Sequence, residues 1–198
     1  MNDYIKKIHQ ESLYRGRIIE VVSNTMEYSQ KGNVGTFKAE VARRSPGVRI
    51  LIVDIDRHNI LLSKEQRPEL QDWDYRLPGG KVFDKLDDYL QNIDREDTIL
   101  KHAEDAVVRE AKEEVAILVK EKSFLHKSIA GASIVWDLFY YLVTSFEEIA
   151  DGQQTESGEI IYPEWKSFDE VLSMCLNGSI QEDRSVAVIL KYLLSSKK

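Results

Sequence analysis

Three glutamates, Glu110, Glu113 and Glu114, are separated by three and four positions inside the stretch AEDAVVREAKEEVAIL, residues 103–118. If the stretch is a helix, that spacing sets three carboxylates along one edge. Like charges so close repel unless a cation lies among them, and hard oxygen donors in a group suit Mg²⁺ or Mn²⁺. Arg109, next in line, can hold a carboxylate by a charge-assisted hydrogen bond. Ala103, Ala106, Val107, Ala111 and Val115 recur at helical spacing and give the helix a face to bury. An acidic stripe is also how an ordinary solvated helix face reads. Here the stripe follows a glycine turn, LPGGKV at 77–82, and precedes an apolar β-rich run. Pro78-Gly79-Gly80 lets backbone come close to a ligand.

LPGGKV followed by REAKEEVAI resembles the Nudix hydrolase box, G-x5-E-x7-R-E-U-x-E-E-x-G-U with U aliphatic. Arg109, Glu110, Ala111, Glu113, Glu114 and Ile117 fall on its second half, and Gly80 falls on its first glycine. Three departures stand out. About 15 residues beyond the box spacing separate Gly80 from the helix, Lys101 occupies the place of the first glutamate, and Ala116 that of the second glycine. The resemblance implies an α/β fold, a Nudix-type α/β/α sandwich with a mixed β-sheet. It implies Glu110, Glu113 and Glu114 as metal ligands together with the Gly80 carbonyl, Arg109 as their support, and Mg²⁺ or Mn²⁺ as cofactor.

The rest of the chain must position these groups. Residues 13–44 read as strands, with a hairpin signal at Lys31-Gly32-Asn33-Val34-Gly35. Two or three strands cannot bury a face alone. We therefore expect residues 1–45 to form a β extension, and 46–198 the main domain with an insert at about 83–100. VRILIVD, 48–54, is a buried strand, and NILLSKEQR returns after a turn at Asp56-Arg57-His58-Asn59. Arg67 and Arg76 offer two-pronged guanidinium groups to phosphate, and Gly79 backbone access to a substrate. Trp73 and Tyr75 could stack on a base. In the insert, Leu86, Tyr89, Leu90 and Ile93 have helical spacing, and Asp97-Thr98 is a helix start. Two strands follow around Gly131-Ala132, the second apolar on both faces. EIIYPEW is an edge strand because of Pro163. Ser167-Phe168-Asp169-Glu170 is a capping box, with Gly178 past the helix end. A last helix over 184–194 turns Val186, Ile189, Leu190 and Leu193 to the core.

The KEQR stretch, the N-terminal strands and the acidic segment QQTESGEIIY resemble the ADP-ribose pyrophosphatase branch of the same family. That branch implies a homodimer through the N-terminal sheet and a further carboxylate, Glu156 or Glu159, that can serve as catalytic base alongside Glu110.

Composition bounds the alternatives. The chain has 198 residues, 42% of them apolar, and a net charge of −7. No basic block is present, so binding to nucleic acid through phosphate neutralisation is not expected. The longest apolar stretch, IVWDLFYYLV, is too short to span a bilayer and contains Asp137, so no membrane partner is expected either. The start, MNDYIKKIHQES, lacks the apolar run of a secretory leader. One cysteine, Cys175, cannot form an internal disulfide. Both point to the cytoplasm. The four histidines show no metal spacing.

The expected function is metal-dependent hydrolysis of a pyrophosphate in a nucleoside diphosphate joined to another moiety, foremost ADP-ribose or a nucleotide sugar. The rival is a Nudix-fold nucleotide-binding or interaction module without turnover, for which Lys101 and Ala116 speak. A triphosphate-cleaning enzyme fits the N-terminal extension less well.

Overall fold

The computed structural model describes residues 3–150, 152–155 and 157–195. In chain order the elements are β1 (Tyr4–Arg15), β2 (Glu20–Gln30), β3 (Asn33–Arg43), β4 (Gly47–Asp54), β5 (Asn59–Arg67), β6 (Asp72–Arg76), α1 (Leu86–Asn92), α2 (Glu96–Val115), β7 (Ile117–Ser128), β8 (Ile134–Val135), β9 (Leu138–Glu148), β10 (Ile161–Ser167), α3 (Phe168–Asn177) and α4 (Asp183–Ser195). The chain divides into two compact units. One runs to Pro46 and takes in Phe83–Ile99 and Ile129–Asp137, and the other holds Gly47–Val82, Leu100–Ser128 and the chain from Leu138 onward.

The first unit is built on a sheet of order β1-β2-β3-β8. The expected hairpin joins β2 to β3 at Lys31-Gly32, both with positive φ (50° and 84°), and pairs Gln30 with Asn33. Two left-handed residues in a two-residue loop match the twist of the flanking strands. Within the expected β extension, β1 was not singled out as a strand, since the expected strands begin at residue 13. Its residues are almost all exposed, so no buried alternation marks it. It is held by its ladder with β2, which runs from Tyr4 to Arg15, and a carboxylate adds to this. Glu20 is nearly buried in β2, where Ser12 donates to it at 2.9 Å and Arg43 at 2.8 Å. One charged group thereby ties three strands. In the insert, Leu86 and Tyr89 of α1 are buried as their spacing requires.

The second unit holds a mixed sheet of order β10-β5-β4-β9-β7, with β6 paired to β5. β4 and β9 run parallel and the other pairs antiparallel. β4 is buried from Gly47 to Val53, as a run apolar on both faces demands. β10 lies at the edge, where the missing N–H of Pro163 is tolerated. Two neighbours on β9 show how helices are distributed. Tyr140 shares a hydrogen bond with Ser185 of α4, whereas the next residue, Tyr141, feels the charge of Glu104 on α2. Successive strand residues point to opposite faces, so α2 and α4 cover opposite faces of the sheet. The fold is α/β.

The elements differ from expectation in three places. α2 stops at Val115 rather than 118, because Ala116 takes φ of 55° and Ile117 already belongs to β7. The strand expected across 133–145 is broken at Trp136-Asp137 into β8 and β9, which lie in different sheets. On α4 the buried positions are Ser185, Val188, Ile189 and Leu193, with Val186 and Leu190 half-buried. α3 begins as read: the Ser167 hydroxyl accepts from the Glu170 N–H, Glu170 reaches back to the Ser167 N–H, and Gly178 ends the helix at φ 81°.

Candidate active site

The glycine turn is zipped onto β4. The Ile50 N–H donates to the Pro78 carbonyl at 2.8 Å and the Val48 N–H to the Gly80 carbonyl at 2.9 Å. Only glycine fits at 79, since a Cβ there would lie 2.1 Å from the Val48 carbonyl oxygen, at φ of 150°. At 80 a Cβ would lie 2.4 Å from the carboxyl carbon of Glu110. The two glycines thus admit a backbone carbonyl on one side and a carboxylate on the other.

Helix α2 brings its glutamates against this turn. Glu114 is 6% exposed, and its carboxylate accepts the Gly79 N–H at 2.7 Å. Arg109 donates to Glu110 at 2.9 Å and to the Lys81 carbonyl at 2.8 Å, and lies 3.9 Å from the half-exposed Glu113. Arg109 therefore links the turn to the acidic edge of α2. Lys101 is exposed on α2 and supplies no such anchor.

Electrostatics distinguishes the glutamates. Burial pushes Glu114 well above the usual carboxylate range, the Glu65 charge adds to this, and the Gly79 N–H and the Arg49 cation oppose it. Burial also raises Glu110. Arg109 counters, while Glu113 and Glu159 raise it further. Glu65, on β5, is raised by burial despite the cations of Arg49, Arg67 and Arg76. Three carboxylates held above their ordinary range in one region form a set that a divalent cation would relieve.

Glu159 is exposed but close enough to Glu110 to act on it, and Glu156 lies outside the described residues. Arg67 donates to Glu65 at 2.9 Å and to Glu69 at 2.7 and 2.9 Å. Arg76 donates to the buried Asp74 at 2.7 Å. Both arginines stand beside the carboxylate group, each occupied by acidic partners. Trp73 leans on Tyr162 at 5.5 Å between ring centres, with the Lys64 ammonium 5.4 Å above it. The loop after β9 closes the end of α2. Gln154 N–H donates to the Glu113 carbonyl at 2.9 Å, and the Gln153 side chain to the Glu114 carbonyl.

The sequence reading passed over three residues here, Arg49, Asp74 and Glu182, and took Glu65 only as part of the KEQR stretch. A charge inside the apolar run VRILIVD was the available signal for Arg49, because a buried charge demands a partner. Nothing local marks its partner, Glu182, which lies 133 positions away.

The donors fit a hard divalent cation by chemistry, being carboxylates pressed together by burial. As placed, they are held by Arg109 and the Gly79 N–H. Among the described residues no three His, Cys, Asp or Glu side chains close into a ligand set.

The model of the NUDIX domain matches residues 43–187. The chain belongs to the NUDIX family. No curated protein matches it. Among solved structures, one described as a crystal structure of an ADP compounds hydrolase is similar over 99% of this chain and 94% of that one, with a TM-score of 0.67 and 18% sequence identity. At that identity the likeness speaks for the fold, and it spans the N-terminal sheet as well as the Nudix residues. Among the described residues no helix is long and apolar enough to cross a membrane.

Proposed function

We propose that this Nudix chain hydrolyses the pyrophosphate of a nucleoside diphosphate joined to another moiety, with ADP-ribose or a nucleotide sugar as substrate and Mg²⁺ or Mn²⁺ as cofactor. The observation that carries the reading is Glu114: a nearly buried carboxylate on the box helix, fixed by the Gly79 N–H, with Glu110 packed on Gly80 beside it. A merely structural helix gains nothing from a carboxylate that burial and its neighbours keep unfavourable. The structural neighbour's description as an ADP compounds hydrolase agrees with this substrate class.

Glu110, Glu113 and Glu114, with the Gly80 carbonyl, would hold the metal, which when bound offsets the negative charge of the pyrophosphate and of the transition state. Arg67 and Arg76 pair with phosphate oxygens once substrate displaces their acidic partners. A carboxylate takes the proton of the attacking water as it bonds to one phosphorus and the bridging P–O bond breaks, giving a nucleoside monophosphate and a sugar phosphate. Glu159, Glu156 and Glu110 are the candidates for that base. Arg109 keeps Glu110 turned to the glycine turn. A cytoplasmic setting fits the single, buried thiol of Cys175.

The test is product release over a panel of ADP-ribose, nucleotide sugars, dinucleotides and triphosphates, with Mg²⁺, Mn²⁺ or chelator. Metal-dependent cleavage of ADP-ribose or a nucleotide sugar is expected. One observation favours the rival, a nucleotide-binding module: Glu110, Arg67 and Arg76 are all engaged by protein partners. A folded protein that binds a panel member and cleaves none would establish that rival.

A further inference from the structure

Arg49 carries a charge into the middle of an apolar strand. Its side chain is nine-tenths buried, and so is that of Glu182, which it meets with two parallel hydrogen bonds at 2.9 and 3.1 Å. Glu182 immediately precedes α4, where its carbonyl accepts the Ser185 and Val186 N–H groups at 2.8 and 3.0 Å. The Ser185 hydroxyl donates to the Glu182 carboxylate, and the Tyr140 hydroxyl meets Ser185 at 3.3 Å. Besides Arg49, the carboxylate is thus held by Ser185 at the start of α4, which Tyr140 of β9 meets in turn. A buried ion pair contributes little net stability compared with apolar packing of the same volume. Its retention inside the core invites a positional role.

The third prong of Arg49 shows what is positioned. Its Nη1 donates to the Val48 carbonyl at 3.2 Å. That carbonyl is the group against which Gly79 is packed, closely enough to exclude any Cβ. The Gly79 N–H in turn donates to the Glu114 carboxylate. Each link from Glu182 through Arg49, Val48 and Gly79 to Glu114 is therefore a hydrogen bond or a close packing contact. Arg49 also lies near enough to Glu114 and Glu65 for their charges to act on it.

We propose that the buried Arg49–Glu182 pair is a positioning unit, which locks the Val48 carbonyl under the glycine turn and so fixes the Gly79 N–H and the Glu114 carboxylate in the orientation used for metal and substrate. Arg49 acts through Gly79 and Glu114 and touches no reacting atom. The proposal rests on the reading of Glu114 as a metal ligand, but one of its readouts needs neither metal nor turnover.

The first variant is Arg49→Lys, which keeps the charge opposite Glu182 and removes the fork that also reaches Val48. The second is Arg49→Met with Glu182→Leu, which removes both charges at similar volume and is expected to fold. Three quantities are measured: hydrogen exchange at the Gly79 amide of the metal-free protein, Mn²⁺ affinity without nucleotide, and kcat and KM on whichever panel member the wild type cleaves. In both variants Gly79 exchange should accelerate while the β9 amides keep their protection. Mn²⁺ affinity and kcat should fall about 10- to 100-fold, as for residues that orient metal ligands, with KM within about threefold. Wild-type protection at Gly79 in a folded double variant, or wild-type Mn²⁺ affinity in Arg49→Lys, would overturn the proposal. If the wild type cleaves nothing, the enzymatic reading fails, and Gly79 exchange still decides the positioning role.

Discussion

Glu65, Glu114 and Glu182 are all buried glutamates, yet their proton affinities diverge because their neighbours do. Burial raises each of them, but only Glu182 faces a two-pronged arginine, and it is brought down to about 2. Glu114 accepts a single N–H and feels the charges of Glu65 and Glu110, so burial keeps it high despite the Arg49 cation. A carboxylate whose folded-state value lies below its unfolded value, ordinarily near ~4.3, stabilises the fold above the unfolded value. That stabilisation disappears as pH falls through the folded value. For Glu182 it is on the order of 3 kcal/mol. Wild type should therefore be more stable than Glu182→Gln at pH 7, and the gap should narrow as pH falls from about 5 to about 2 in denaturant titrations. A gap that does not change with pH would show that Arg49 does not hold Glu182 down. At this scale the sequence exposed the residues whose spacing is local: the glutamates and Arg109 of the box, the two glycines, the Ser167 cap. It hid the partners brought by folding, such as Asp74, which accepts the Gln181 N–H from 107 positions away.

Elements were legible where their periodicity had a buried side. α2 announces itself by alanines and valines at helical spacing, and β4 by an unbroken apolar run. β1 and β6 carry little burial and no clear alternation, so only their pairing partners reveal them. The end of α2 is informative in a different way. Ala116 stands at a box position otherwise held by glycine, and it takes φ of 55° to turn the chain from helix into β7. A left-handed conformation strains any residue with a Cβ. Ala116→Gly should thus stabilise the protein by about 1 kcal/mol, raising Tm by roughly 2–4 °C for a chain of this size. Since α2 keeps its length and its closing bonds from Ile149 and Gln154, activity should be little changed. A lowered Tm would mean that Ala116 contributes packing that outweighs the strain.

On the scale of the molecule, the two units differ in how far they satisfy themselves. The sheet of the second unit has a helix on each face, with Ala103, Ala106, Val107 and Ala111 of α2 and Val188, Ile189 and Leu193 of α4 buried. The first unit leaves Tyr4, Ile5, Ile8, Leu13 and Tyr14 of β1 exposed, with Phe37 of β3. Exposed apolar side chains in such number can be covered by another protein surface, and the homodimer that the ADP-ribose pyrophosphatase resemblance implies is the expectation to test. Sedimentation equilibrium should then give twice the 22.9 kDa chain mass. A monomer at micromolar concentration would contradict it. That surface was foreseeable only as strands lacking a core, since its exposure depends on which residues the sheet turns outward. The central claim concerns the Nudix site, and the most direct test compares wild type with Glu114→Gln on ADP-ribose, with Mg²⁺ and with chelator. Wild type should release nucleoside monophosphate only with the metal, and Glu114→Gln, folded and with its Gly79 bond available to the amide oxygen, should be slower by about 100-fold or more, since losing a ligand costs at least what losing a ligand's support does. Full activity in Glu114→Gln, or equal wild-type activity in chelator, would contradict the claim.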